Sequence, residues 1–191
     1  GGEITITIEE TPAEPFAIHL RIPGWTTGAG LRVNDDGLLD TPLPGGYHAI
    51  RRRWAPGDRI SLALDMPPEL VEAHPLVEEL RGHLAVRRGP LVYCLEGVDL
   101  PEGASILDVY LSPTMAFSIE SDPALESLLP GMRVLRGVGL LDESPGAWQG
   151  QLYRPARPKK LKEIALTFVP YFAWQNRGEA EMTVWLPEGN T

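Results

Sequence analysis

The side chains able to do chemistry are present in this chain but scattered. His19, His48, His74 and His83 lie far apart. None forms the spaced pair on one helix or hairpin from which a metal site is built. Cys94 is the single cysteine, which excludes an internal disulfide and a multi-cysteine metal centre. It lies in the apolar run Leu91 to Leu95, so it reads as a buried thiol and not as a nucleophile. Glycoside hydrolysis needs two carboxylates about 5–10 Å apart across one bond. The chain has 26 acidic residues, so pairs that meet in space cannot be picked out by abundance. The doublets Glu9-Glu10, Asp35-Asp36 and Glu78-Glu79 do not identify a site, because strand neighbours point to opposite faces. No G-x-S-x-G, P-loop or G-x-G-x-x-G pattern occurs. No catalytic, cofactor-binding or metal-ligating residue is assigned.

Aromatic side chains are the one suggestive class. Trp25, Tyr47, Trp54, Trp148, Tyr153, Tyr171, Trp174 and Trp185 could include a platform on which the C–H face of a sugar packs. Trp54 and Trp185 fall within strand-like stretches and read as core or interface. Trp148 sits in the polar, glycine-containing segment Pro145-Gly146-Ala147-Trp148-Gln149-Gly150. It is the residue selected as a possible carbohydrate contact.

The elements that must position these residues are strands. Ile4, Ile6 and Ile8 alternate with threonines, Phe16, Ile18, Leu20 and Ile22 with Ala17, His19 and Arg21, and Ile60, Leu62, Leu64 and Met66 with Ser61, Ala63 and Asp65. Such alternation puts one face on a core and one in water. Leu84 to Val86, Leu91 to Leu95 and Ile164 to Val169 are more continuously apolar, as expected of strands covered on both faces. Ala55-Pro56-Gly57-Asp58 carries Pro and Gly at the centre of a type II turn and is expected to join Tyr47–Trp54 to Arg59–Met66 as an antiparallel hairpin. Asn34-Asp35-Asp36-Gly37 marks another reversal. Asp122 before Pro123 predicts a short capped helix stopped by Pro130-Gly131, and Pro75 to Arg81 a single turn closed by Gly82. Residues 100–160 are less regular and hold a basic, proline-broken stretch, Arg154 to Lys160; strand pattern resumes at Leu161. Arg51-Arg52-Arg53 reads as a solvated strand face. The predicted class is all-β: two antiparallel, jelly-roll-like β-sandwich units with one or two short helices. The first is placed at 1–95, with 180–191 as its possible last strand, and the second at 96–179.

The net charge of −9 argues against a nucleic-acid partner, since phosphate binding needs a basic surface. No apolar run reaches the ~18 residues that crossing a bilayer as a helix requires. No signal peptide is visible, so a soluble, cytoplasmic chain is the expectation. The abrupt start at Gly1-Gly2-Glu3 suits a region excised from a larger protein.

Three segments carry a family resemblance: Arg21-Ile22-Pro23-Gly24-Trp25, the run Arg88-Gly89-Pro90-Leu91-Val92-Tyr93-Cys94-Leu95-Glu96, and Pro170 to Leu186 (PYFAWQNRGEAEMTVWL). Val33-Asn34, Pro44-Gly45-Gly46-Tyr47, Arg53-Trp54, Gly57-Asp58, Ala73-His74-Pro75 and Ala85-Val86 fall between them in the same order. In this order and spacing they resemble the C-terminal part of the β-L-arabinofuranosidases of glycoside hydrolase family 127. The resemblance implies two β-sandwich domains that follow an (α/α)6 catalytic barrel. It also implies that catalysis, with a zinc held by cysteines and a glutamate, belongs to that barrel. The expectation is a non-catalytic accessory fragment whose partner is its own barrel, with carbohydrate binding and homo-oligomerisation as alternative roles. No cofactor is expected in this fragment.

Overall fold

The computed structural model describes residues 1–37, 40–144 and 151–189. Its regular structure is mostly antiparallel strand, as the alternating patterns predict. The chain divides into two compact units, Gly1–Pro67 and Pro68–Thr191.

In the first unit β1 (Glu3–Thr7), β3 (Ala29–Val33) and β5 (Arg59–Leu64) form a sheet in the order β1-β5-β3. Strands β2 (Phe16–Arg21) and β4 (Tyr47–Arg52) form a second, two-stranded sheet. Inward residues of both sheets, among them Leu20, Leu31, Val33, Ile50, Ile60 and Leu62, share one buried cluster. Two sheets over one core make a small sandwich. Trp54 is sealed into it and donates its indole N–H to the Phe16 carbonyl at 3.2 Å. The alternation is not fully obeyed at the edge, where Ile4 stays exposed on β1.

The turn at Ala55–Asp58 forms as predicted: Gly57 has φ +93° and the Asp58 N–H donates to the Ala55 carbonyl at 3.0 Å. The expected hairpin does not. β4 pairs with β2, and β5 pairs with β1 and β3. The turn therefore carries the chain from one sheet to the other. The reason is burial: Ile50 and Trp54 on one side of the turn and Ile60 and Leu62 on the other all enter the shared core, which places their strands in facing layers.

In the second unit β6 (Pro68–Glu72), β7 (His83–Arg88), β8 (Leu91–Glu96), β9 (Val109–Tyr110), β10 (Ser118–Glu120), β11 (Val134–Asp142), β12 (Leu161–Pro170), β13 (Met182–Thr183) and β14 (Trp185–Pro187) join in one nine-stranded sheet that curls into a half-barrel. Gly89 (φ +56°) opens the two-residue connection between β7 and β8, the position at which a tight hairpin takes glycine. The apolar runs are covered on both faces over Leu84–Val86, Tyr93–Leu95 and Phe168–Val169, while Val92 and Ala165 stay exposed. Tyr93, Leu95, Leu166 and Phe168 enter one buried cluster, while Cys94 and Val169 enter another with Leu125, Met132, Val134 and Ala173. The short helix α1 (Pro123–Leu128) packs Leu125 into the second cluster. Asp122 caps it, accepting from the N–H groups of Ala124 and Leu125 at 3.0 and 3.2 Å.

The division between the units corrects the expected one. It falls at Pro67, not near residue 95. β7 and β8 belong to the second sheet because their apolar faces pack on Phe168, Leu166 and Leu186. The last strand also stays there. β7 and β8 pair only over Val86–Arg88 and Leu91–Tyr93. Beyond that, Met182 and Thr183 pair with Glu96 and Leu95, and Trp185 to Pro187 pair with Ala85 to His83. β11, hidden in sequence by Gly137 and Gly139, is a long strand within the region read as irregular.

Candidate functional site

Two of the motif segments meet in the second unit. The second segment ends at Glu96, the last residue of β8. The third begins where Pro170 ends β12 and the chain enters a tight 3-10 turn at Tyr171–Ala173. Ala173 points into the core. The aromatic side chains around it point outward: Tyr171 is 49% exposed, Phe172 61% and Trp174 38%. The rings of Tyr171 and Trp174 lie 6.4 Å apart at 14°.

Buried charge holds this turn. Glu96 is 1% exposed. One of its carboxylate oxygens, Oε1, accepts from the Gln175 N–H at 2.9 Å. The other, Oε2, accepts from Arg177 Nε at 3.0 Å and also from Arg177 Nη2. The same guanidinium donates to Asp99 through Nη1 at 2.8 Å and Nη2 at 2.6 Å. Arg177 thus engages two carboxylates in a planar fork. Burial alone would lower its pKa, but the hydrogen bonds to Asp99 and Glu96 outweigh that and raise it. Asn176 completes the turn, its amide donating to the carbonyls of Ala173 (2.9 Å) and Trp174 (3.3 Å). Gln175 holds φ +67°, a conformation uncommon outside glycine. A buried ion cluster of this kind adds little net stability but fixes one geometry.

In sequence Arg177-Gly178 is no more than a turn-like dipeptide, and Glu96 simply follows the apolar run Leu91 to Leu95. Gly178 does turn, with φ +116°. The ion cluster was missed because its partners are about eighty residues apart. The available signal was a carboxylate closing a fully apolar run.

The other singled-out residues stay separate. His19 and His74 are exposed, and His48 stands 3.6 Å from Asp40. Among the described residues no three of His, Cys, Asp and Glu are placed to hold a metal ion. Cys94 is buried, burial pushes its thiol up to about 12, and its Sγ lies 3.6 Å from the Val169 carbonyl. A lone thiol in that setting does not fit a zinc set of cysteines and glutamate. The first motif segment meets Pro44–Tyr47 in the first unit. The Ile22 N–H donates to Gly46 O at 2.9 Å, and the Arg21 guanidinium lies 5.5 Å from the exposed Tyr47 ring. Arg52 covers Trp54 at 5.4 Å. Trp148 lies outside the described residues. Among the described residues no helix is long and apolar enough to cross a membrane.

Set against known proteins, the two units match two adjoining domains of one enzyme family. Residues 1–66 match the beta-L-arabinofuranosidase GH127 middle domain, and residues 68–187 the glycoside hydrolase family 127 C-terminal domain. The chain belongs to glycoside hydrolase family 127, as its middle and C-terminal domains. It is 32% identical over 177 residues to a non-reducing end beta-L-arabinofuranosidase of Bifidobacterium longum subsp. longum, covering 86% of this chain and 25% of that protein. Its fold is similar to that of a solved glycoside hydrolase (TM-score 0.85, 36% identity, 99% of this chain and 30% of that one). It also resembles a GH127 beta-L-arabinofuranosidase from Geobacillus stearothermophilus T6 (TM-score 0.81, 36% identity, 98% and 29%). The chain thus spans about a quarter of the length of the curated relative it matches.

Proposed function

We propose that these two units are the non-catalytic accessory part of a β-L-arabinofuranosidase-like glycoside hydrolase and support an (α/α)6 barrel that carries the chemistry. The observation behind this reading is coverage: both domain matches together account for nearly the whole chain, yet that chain corresponds to only 25% of the curated arabinofuranosidase. The chemistry of the residues supports it. The only thiol is buried with its pKa pushed up to about 12, unsuited to attack on a sugar. The zinc that the family resemblance implies belongs, on this reading, to the barrel. The test is hydrolysis of an aryl β-L-arabinofuranoside by this chain alone; turnover above a heat-denatured control would overturn it. Saturable binding of arabinan by the chain would instead support a targeting role, with Trp148 the first residue to replace.

A further inference from the structure

We propose that the aromatic turn Tyr171–Trp174 is the docking surface for the catalytic portion of the parent enzyme, an inference that rests on the accessory reading above. Three large aromatic rings from four consecutive residues are left half in water. Clustered aromatics of this kind mark an interaction site on a protein surface. The backbone that follows them is fixed by the Glu96–Arg177–Asp99 cluster, so the turn loses little main-chain freedom on contact.

Aromatic side chains with one polar tip suit a protein interface, and the charged group beneath this turn is directed away from it. A sugar site pairs a ring face with free hydrogen-bonding groups. Here the Arg177 guanidinium is taken up by Glu96 and Asp99, and the Asn176 amide turns back onto the carbonyls of Ala173 and Trp174. Tyr171 and Trp174 set their rings against each other, and Phe172 carries no polar atom. What the turn presents is mostly ring surface, with the Tyr171 hydroxyl, the Trp174 indole N–H and the exposed Gln175 side chain as its further polar groups. The polypeptide available to cover it is substantial: in the solved relatives this region is 30% or less of the chain.

The test compares hydrogen exchange of peptides covering 170–178 in the full-length enzyme that carries this region and in the present chain alone. Docking predicts exchange about tenfold or more slower in the full-length protein, equivalent to 1.4 kcal/mol of added protection. Replacing Phe172→Ser, at the most exposed of the three rings, should reduce that difference when the full-length and isolated proteins carrying the same replacement are compared. Equal exchange in the two proteins, with the present chain inactive on arabinofuranosides, overturns the docking surface and leaves the accessory reading standing. Slowing in the present chain on adding arabino-oligosaccharide, or on raising its own concentration, overturns it in favour of a sugar or a second copy.

Discussion

Glu96 and Arg177 show how much one residue pair can settle. Each alone would be a costly buried charge; together with Asp99 they satisfy one another. Removing one partner strands the other. Glu96→Ala and Arg177→Ala should each destabilise the second unit by about 3–5 kcal/mol. The Glu96→Leu/Arg177→Met double replacement should cost clearly less than the two single truncations added together. Urea denaturation of the four proteins checks this, and additive losses would remove the pair from the argument. Cys94 offers a second reading at this scale. With its thiol pushed up to about 12 by burial, aided by the Glu96 charge and opposed by Arg177, almost none is thiolate at pH 8. A chromogenic disulfide reagent should leave the native chain unmodified and titrate one thiol after unfolding in guanidinium. The buried thiol was legible in the sequence because five apolar residues in a row cannot alternate. The ion cluster was not, since nothing local to Glu96 announces a partner beyond residue 170.

Among elements, the turns were the most legible and their consequences the least. Pro56-Gly57 announced the type II turn, and Gly57 takes the left-handed φ it requires. Gly57→Ala should lower stability by about 1–2 kcal/mol, read as a shift in the urea midpoint. Which strands the turn joins was not legible, because pairing depends on which layer each apolar face enters. β11 was missed for a related reason: Gly137 and Gly139 interrupt its apolar pattern, and their space is filled by Met115 and Leu166 from neighbouring segments. Asp142, at the end of β11, accepts from the Ser144 hydroxyl (2.6 Å), the Ser144 N–H (2.9 Å) and the Lys160 N–H (3.2 Å). The Ser144 hydroxyl does most to lower its carboxyl pKa; burial, the next largest influence, opposes it, and the Ser144 and Lys160 N–H groups and the Arg157 charge add to the lowering. A depressed folded pKa contributes stability above the unfolded value of about 3.9, lost as pH falls through the folded value. The gap in melting temperature between the native chain and Asp142→Ala should narrow as pH drops from 6 toward about 2. A gap that widens would contradict the assignment.

For the whole molecule, the all-β class and the family were readable from alternation and from ordered motifs, but the division between units was not. Cutting near residue 95 separates β7 and β8 from the strands on which Leu84, Val86, Tyr93 and Leu95 are buried. Residues 68–191 should therefore fold cooperatively when expressed alone, while residues 1–95 should expose that apolar surface and aggregate. Circular dichroism melting and light scattering on the two fragments distinguish these outcomes, and a soluble, cooperative 1–95 would restore the later boundary.

The pairing of β14 with the start of β7 also bears on how the protein is made. Leu84 leaves the ribosome about a hundred residues before its partner Leu186, a wait on the order of 5–20 s at ordinary rates of synthesis. During that time one edge of β7 near Leu84 and Ala85 is an open template for any passing strand. Contacts of such long separation also form slowly once the chain is complete. Misassembly on the polysome, more than instability of the finished fold, is then the hazard this topology creates, and it is at that edge that a ribosome-bound chaperone would give the most protection.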